Sequence, residues 1–92
     1  MNFTTAFTFR DTSYQAEVFL DFSEYPYYVF VILQDHLLLQ EFGSEVSIKN
    51  DSNTILPMKE EPTTLQELRQ AIFYAVKTTS TFTACKAVVK AA

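Results

Sequence analysis

The stretch SYQAEVFLDF, residues 13–22, decides the fold. Tyr14, Ala16, Val18, Leu20 and Phe22 fall on one side of a period-two pattern, and Gln15, Glu17 and Asp21 fall on the other. Phe19 is the one apolar residue among the polar set. Alternation of this kind places one face of a β-strand on a core and the other in water. The preceding residues 2–10 repeat it, with Phe3, Thr5, Phe7 and Phe9 alternating against Thr4, Ala6 and Thr8. Between them Arg10-Asp11-Thr12-Ser13 is a polar turn, in which Asp11 can accept from the backbone two residues on. The two runs therefore predict a hairpin. The absence of glycine argues against a tight type I′ turn and for a longer loop built on a type I turn.

Working outward, Ser23-Glu24-Tyr25-Pro26 breaks the alternation, since proline lacks an amide donor and marks a strand start or edge. Residues 27–34 form the most β-prone run, and its continuous apolar character predicts a central strand. Residues 35–42 admit two readings: a short helical turn ended by Gly43, or a strand reaching Gly43 through a bulge. Residues 45–49 alternate again, with Val46 and Ile48 inward. Residues 50–62 form a polar loop, along which Ile55, Leu56 and Met58 can lay an apolar patch on the core. Thr64 and Glu67 have capping-box spacing just after Pro62, which predicts a helix over 65–78. Leu65, Leu68, Ile72, Ala75 and Val76 recur along its apolar stripe. The tail 82–92 is compatible with a further helical turn or with disorder. The expected fold class is α+β: residues 1–92 form a single domain, a four-stranded, mostly antiparallel sheet packed by one C-terminal amphipathic helix.

Composition excludes several classes of function. A chain of 92 residues supports one core, and nine Phe and five Tyr supply the large apolar surfaces that so small a core needs. The net charge of −4 is uneven. Up to Pro62 ten acids oppose Arg10, Lys49 and Lys59; beyond it Glu67 opposes Arg69, Lys77, Lys86 and Lys90. Nucleic-acid binding needs clustered cations, and neither part has them. Cys85 is the only cysteine, so an internal disulfide or a Cys-rich zinc site is impossible. The first residues carry no basic, apolar leader, and the longest apolar run, residues 25–33, is too short to span a bilayer. The expectation is a cytoplasmic protein with neither a membrane nor a nucleic-acid partner.

No residue cluster amounts to a catalytic, metal or cofactor site. His36 is the only imidazole, and a lone titratable residue beside Asp35 and Glu41 reads as a surface histidine in a loop beside acids. Cys85 would need His36 as its base, and no motif supports that pairing. Gly43, the only glycine, cannot write a dinucleotide fingerprint or a phosphate loop. The pairs Asp21 with Glu24 and Glu60 with Glu61 lie in expected loops. Asp51-Ser52-Asn53 lacks the glycine and terminal glutamate of a calcium loop.

The aromatic run that follows Ser23 is the remaining candidate. Tyr28, Phe30 and Ile32 alternate with Tyr27, Val29, Val31 and Leu33, and one helix covers one of these faces. Grouping Phe19 with the second set gives an expected interaction surface of Phe19, Tyr25, Tyr27, Val29 and Val31. The expected function is a non-enzymatic protein-interaction module, with a protein partner or a second copy in a homodimer. Two alternatives stand beside it. One is an acidic inhibitor or mimic engaging a basic surface through Asp21, Glu24, Asp35, Glu41, Glu45, Glu60 and Glu61. The other is a carrier of a small apolar ligand between helix and sheet.

Overall fold

The computed structural model describes residues 2–56 and 62–91, with side chains as far as residue 87. Strand β1 (Asn2–Phe9) and strand β2 (Thr12–Asp21) form the hairpin, followed by β3 (Tyr27–Leu33), α1 (His36–Phe42), β4 (Glu45–Asn50), α2 (Thr63–Lys77) and α3 (Ser80–Ala91). The strands form one antiparallel sheet in the order β1-β2-β3-β4. Every strand therefore pairs with its neighbour in the chain, so short connections suffice. The fold is α+β, as the alternation requires.

The hairpin turn corrects one expectation. Phe9 pairs with Thr12, which leaves a two-residue loop, and Arg10 (φ 52°) and Asp11 (φ 62°) both occupy the left-handed region. Positive φ at both central residues is the signature of type I′, whose twist matches that of the flanking strands. Asp tolerates this region through local hydrogen bonding. Arg10 is held there by its side chain: its guanidinium lies 4.7 Å from the centroid of the Phe9 ring and makes two bonds to Glu41, at 2.9 and 2.8 Å. The contact joins the turn to α1.

Residues 35–42 resolve as a helix. The Asp35 carboxylate caps it, accepting from the amides of Leu37 (2.9 Å) and Leu38 (3.4 Å). Gly43 ends it at φ 85°, with its amide donating to the carbonyl of Leu39. That backbone conformation is the reason for a glycine here. The capping box expected at the next helix does not form: α2 opens at Thr63 with Pro62 as its N-cap and no side-chain cap bond. Instead the Pro62 carbonyl accepts from the amides of Leu65 and Gln66. A helix capped by Thr64 would begin at Leu65; α2 begins two residues earlier, which puts Thr64 inside its first turn.

The tail is helical, and it packs. Phe82 of α3 is fully buried, with its ring edge-on to Phe73 of α2 and to Phe22. The C-terminal layer is thus two helices where one was expected. Leu68, Ile72, Phe73 and Val76 of α2 sit with Phe82 on Phe7, Phe9, Ala16, Val18, Leu20, Val29, Val31, Leu33, Val46 and Ile48. Each large aliphatic side chain buried there stabilises the fold by about 1.5–3 kcal/mol. Ile55 packs against this core from the 50–56 loop; Met58, expected beside it, lies outside the described residues.

That loop is tied down by polar contacts. Buried Asn50 donates from Nδ2 to the carbonyl of Ile48 and accepts at Oδ1 from the amide of Ser52. The Asp51 carboxylate accepts from the amides of Asn53 and Thr54, which holds its pKa below the usual carboxylate range. Asn53 in turn receives the ammonium groups of Lys77 and Lys86, linking the loop to both helices. Among the described residues, no buried side-chain nitrogen or oxygen lacks a partner.

Candidate interaction surface

Which side chains remain open follows from the register. Leu20 lies opposite Val29, and Val18 opposite Val31, so these four share the face under α2 and α3. Phe19 lies opposite Phe30, and Glu17 opposite Ile32. Phe19 therefore belongs with Tyr28, Phe30 and Ile32 on the uncovered face. The expected grouping of Phe19 with Tyr27, Val29 and Val31 is corrected: Val29 and Val31 are fully buried in the core. The polar face of β2 carried the necessary information. Its one apolar exception, Phe19, marks the row along which β3 leaves Phe30 uncovered.

The open face has a definite layout. Phe19 and Ile32 are each 37% exposed, while Tyr28 and Phe30 are half-buried by their neighbours. The rings of Tyr28 and Phe30 stack at 5.6 Å with 7° between their planes. Around these four run charged and polar positions. Glu17 and Glu45 flank Ile32, Asp21 and Lys49 flank Tyr28, and Asn2 and Ser47 close the row of Phe19 and Phe30. The result is an apolar centre with a mixed, mostly acidic rim, the anatomy of a protein contact patch. Asp21 is held below the usual carboxylate pKa range by hydrogen bonds from the hydroxyl and amide of Ser23.

Tyr25 and Tyr27 belong to a different place. Tyr27 stacks on Phe22 at 4.8 Å, and Tyr25 meets Tyr27 edge-on at 5.6 Å. Together with Phe82 and Phe73 they form a chain of rings from the core to the surface, ending at Tyr25, which is 65% exposed beside the cis Tyr25–Pro26 bond. Of the five residues expected to form one surface, the structure leaves Phe19 on the open face, puts Tyr25 and Tyr27 at the margin of the helical layer, and places Val29 and Val31 inside. Tyr28, Phe30 and Ile32 are the residues the sequence reading assigned to the covered side.

The other candidates are dispersed. His36 opens α1 and its ring nitrogen lies 3.1 Å from the Gln40 amide, while Cys85 packs half-buried against the core from α3. Among the described residues, no group of three or more His, Cys, Asp or Glu side chains is arranged to hold a metal ion. Of the acids of the mimic hypothesis, Asp35 caps α1, Glu41 pairs with Arg10 and Asp21 bonds Ser23, while Glu60 and Glu61 lie outside the described residues. Among the described residues an open groove of about 650 Å³ runs between β1 and α2, and another of about 390 Å³ lies against α1 beside Arg10 and Tyr14. No described helix is long and apolar enough to cross a membrane. No protein-family model matches the chain, and neither a curated protein nor a solved structure shows significant similarity to it.

Proposed function

We propose that this chain is a non-enzymatic protein-interaction module that works in the cytoplasm and meets its partner through the open face of the sheet. The observation that carries this reading is the pairing of Phe19 with Phe30 at the centre of that face, extended by Tyr28 and Ile32. Four large apolar side chains in one patch lose free energy to water, and a partner recovers it on binding. Aromatic residues inside a polar rim are the usual anchors of such contacts. The rim sets the partner's chemistry. With Glu17, Asp21 and Glu45 set against Lys49, the complementary surface is an apolar patch bordered by basic side chains.

A photo-reactive phenylalanine analogue at position 30, expressed in cells and irradiated, tests this. The same analogue at exposed Thr83 on α3 serves as the control. The expected result is a discrete protein adduct from position 30, absent from position 83 and lost when Phe19→Ser is added. Equal labelling from both positions, or none from position 30, would contradict the reading.

A further inference from the structure

The two edges of the sheet are treated differently. In an antiparallel pair, alternate residues turn their amide and carbonyl toward the partner strand, and the intervening ones turn theirs outward. At the β4 edge two of the outward carbonyls are occupied: Ser47 accepts from Nε of Arg69 at 2.9 Å, and Lys49 accepts from the amide of Leu56 at 2.8 Å. At the β1 edge the two-residue turn fixes the phase. Phe9 and Thr12 exchange bonds across a two-residue hairpin, so Phe7, Thr5 and Phe3 also bond β2. Thr4, Ala6 and Thr8 then present their amides and carbonyls outward. Among the described residues, no hydrogen bond reaches these groups.

Edge strands of this length normally carry a charge, a proline or a bulge that discourages further pairing. β1 has none: NFTTAFTF is uncharged and free of proline, and its register with β2 is unbroken over eight residues. Beside it runs the open groove of about 650 Å³, walled on the α2 side by Glu67, Gln70, Ala71, Tyr74 and Thr78. These positions recur at helical spacing along one stripe of α2. Tyr74, in the middle of that stripe, is 73% exposed.

We propose that β1 is the interface of a homodimer, in which the β1 strands of two copies pair antiparallel about a two-fold axis at Ala6 and join their sheets into one of eight strands. The strand is complementary to itself in this register. Ala6 pairs with Ala6 of the second copy and Thr4 with Thr8, so every outward amide meets an outward carbonyl. Threonine pairs across strands are favourable, and the smallest side chain of the strand lies at the axis. No like charges meet. Glu67 lies toward the Arg10 end of the strand, with which it interacts electrostatically, so the two-fold sends the two glutamates to opposite ends of the seam.

Eight residues span about 27 Å, and one strand plus one helix is roughly 15–20 Å deep. The seam therefore measures about 400–540 Å² per partner, below the ~800 Å² of a standard interface and on the scale of a weak dimer. The proposal stands apart from the reading of the open face. The dimer leaves that face uncovered and doubles it.

Sedimentation equilibrium up to millimolar protein, combined with hydrogen exchange resolved at single amides, tests the proposal. The expected result is a dimer in which the amides of Thr4, Ala6 and Thr8 exchange slowly at concentrations that favour association and fast on dilution. Ala6→Pro removes an amide that faces away from β2, so it spares the hairpin ladder. It deletes the two bonds at the axis and weakens dimerisation about ten- to a hundred-fold. Thr4→Lys combined with Thr8→Lys sets like charges opposite one another across the axis and gives a folded monomer; this variant decides the matter where Ala6→Pro fails to fold. Phe30→Ser leaves the dimer intact, whatever it does to binding at the open face. A wild-type chain that stays monomeric overturns the proposal. So does a dimer whose three edge amides exchange freely, or one lost with Phe30→Ser and retained in the edge variants.

Discussion

Val31 and Ile32 are neighbours in β3, yet one is fully buried and the other is 37% exposed. The difference between the two faces of the sheet is not one of composition. The covered face of β3 carries Tyr27, Val29, Val31 and Leu33, and the open face carries Tyr28, Phe30 and Ile32; a hydropathy scale separates them poorly. The neighbouring strands separate them. On β2 the covered face is apolar throughout, whereas the open face holds Gln15, Glu17 and Asp21 around Phe19. A helical layer forms over the face on which all four strands agree. The dissenting apolar residues of the other face are left as a patch. Packing assigns the core, and the patch is what remains for function.

That contrast can be broken from either side, and the largest effect comes from the covered one. Ile72→Ala in α2 opens a cavity against the strands and is expected to cost about 2–5 kcal/mol, read from the midpoint of urea unfolding. Val31→Ser puts a hydroxyl among apolar neighbours in the same core and is expected to cost about 2–3 kcal/mol in that measurement. Phe30→Ser, one residue away on the open face, removes only the cross-strand pairing with Phe19 and the stacking on Tyr28 two residues back in the same strand. Its expected cost is about 1 kcal/mol or less. Similar costs for Val31→Ser and Phe30→Ser would mean that the two faces are not distinct.

The smallest effect is electrostatic and belongs to neither face. Hydrogen bonds from Arg10, Ser23 and the 53–54 amides hold Glu41, Asp21 and Asp51 below their ordinary pKa values. A depressed folded-state pKa means that the unfolded chain binds the proton more readily. The stabilisation is therefore present above the unfolded carboxylate range, about pH 4, and is lost as pH falls through the lower folded values. Thermal unfolding followed across that range should show the midpoint decline on acidification. The decline should be shallower in Glu41→Gln, which no longer has that proton to take up.

Much of the fold was legible, because β2 and the stripe of α2 state their faces through polar residues. The hairpin, four strands, α2 and the loop at 50–56 all follow from alternation, helical spacing and turn chemistry. The open face was misread at the point where polarity stops informing. With no polar residue between Tyr27 and Leu33, β3 does not declare its own parity, and only its register on β2, set by the 22–26 connection, does so. The turn at Arg10 and Asp11 was missed for a related reason. Glycine is the common solution for positive φ, and here the contacts of Arg10 with Glu41 and Phe9 substitute for it. The tail's sequence admits helix or disorder because its anchor, Phe82, depends on Phe22 and Phe73, sixty and nine residues away in sequence.

The most direct test is solvent paramagnetic relaxation on the side chains of β3 and β2, measured by NMR with a small soluble paramagnetic agent. The methyl groups of Ile32 and the ring of Phe19 are expected to relax strongly, and the methyls of Val29 and Val31 hardly at all. Strong relaxation at Val29 and Val31, with Phe19 and Ile32 shielded, would contradict the assignment of the open face and with it the proposed contact.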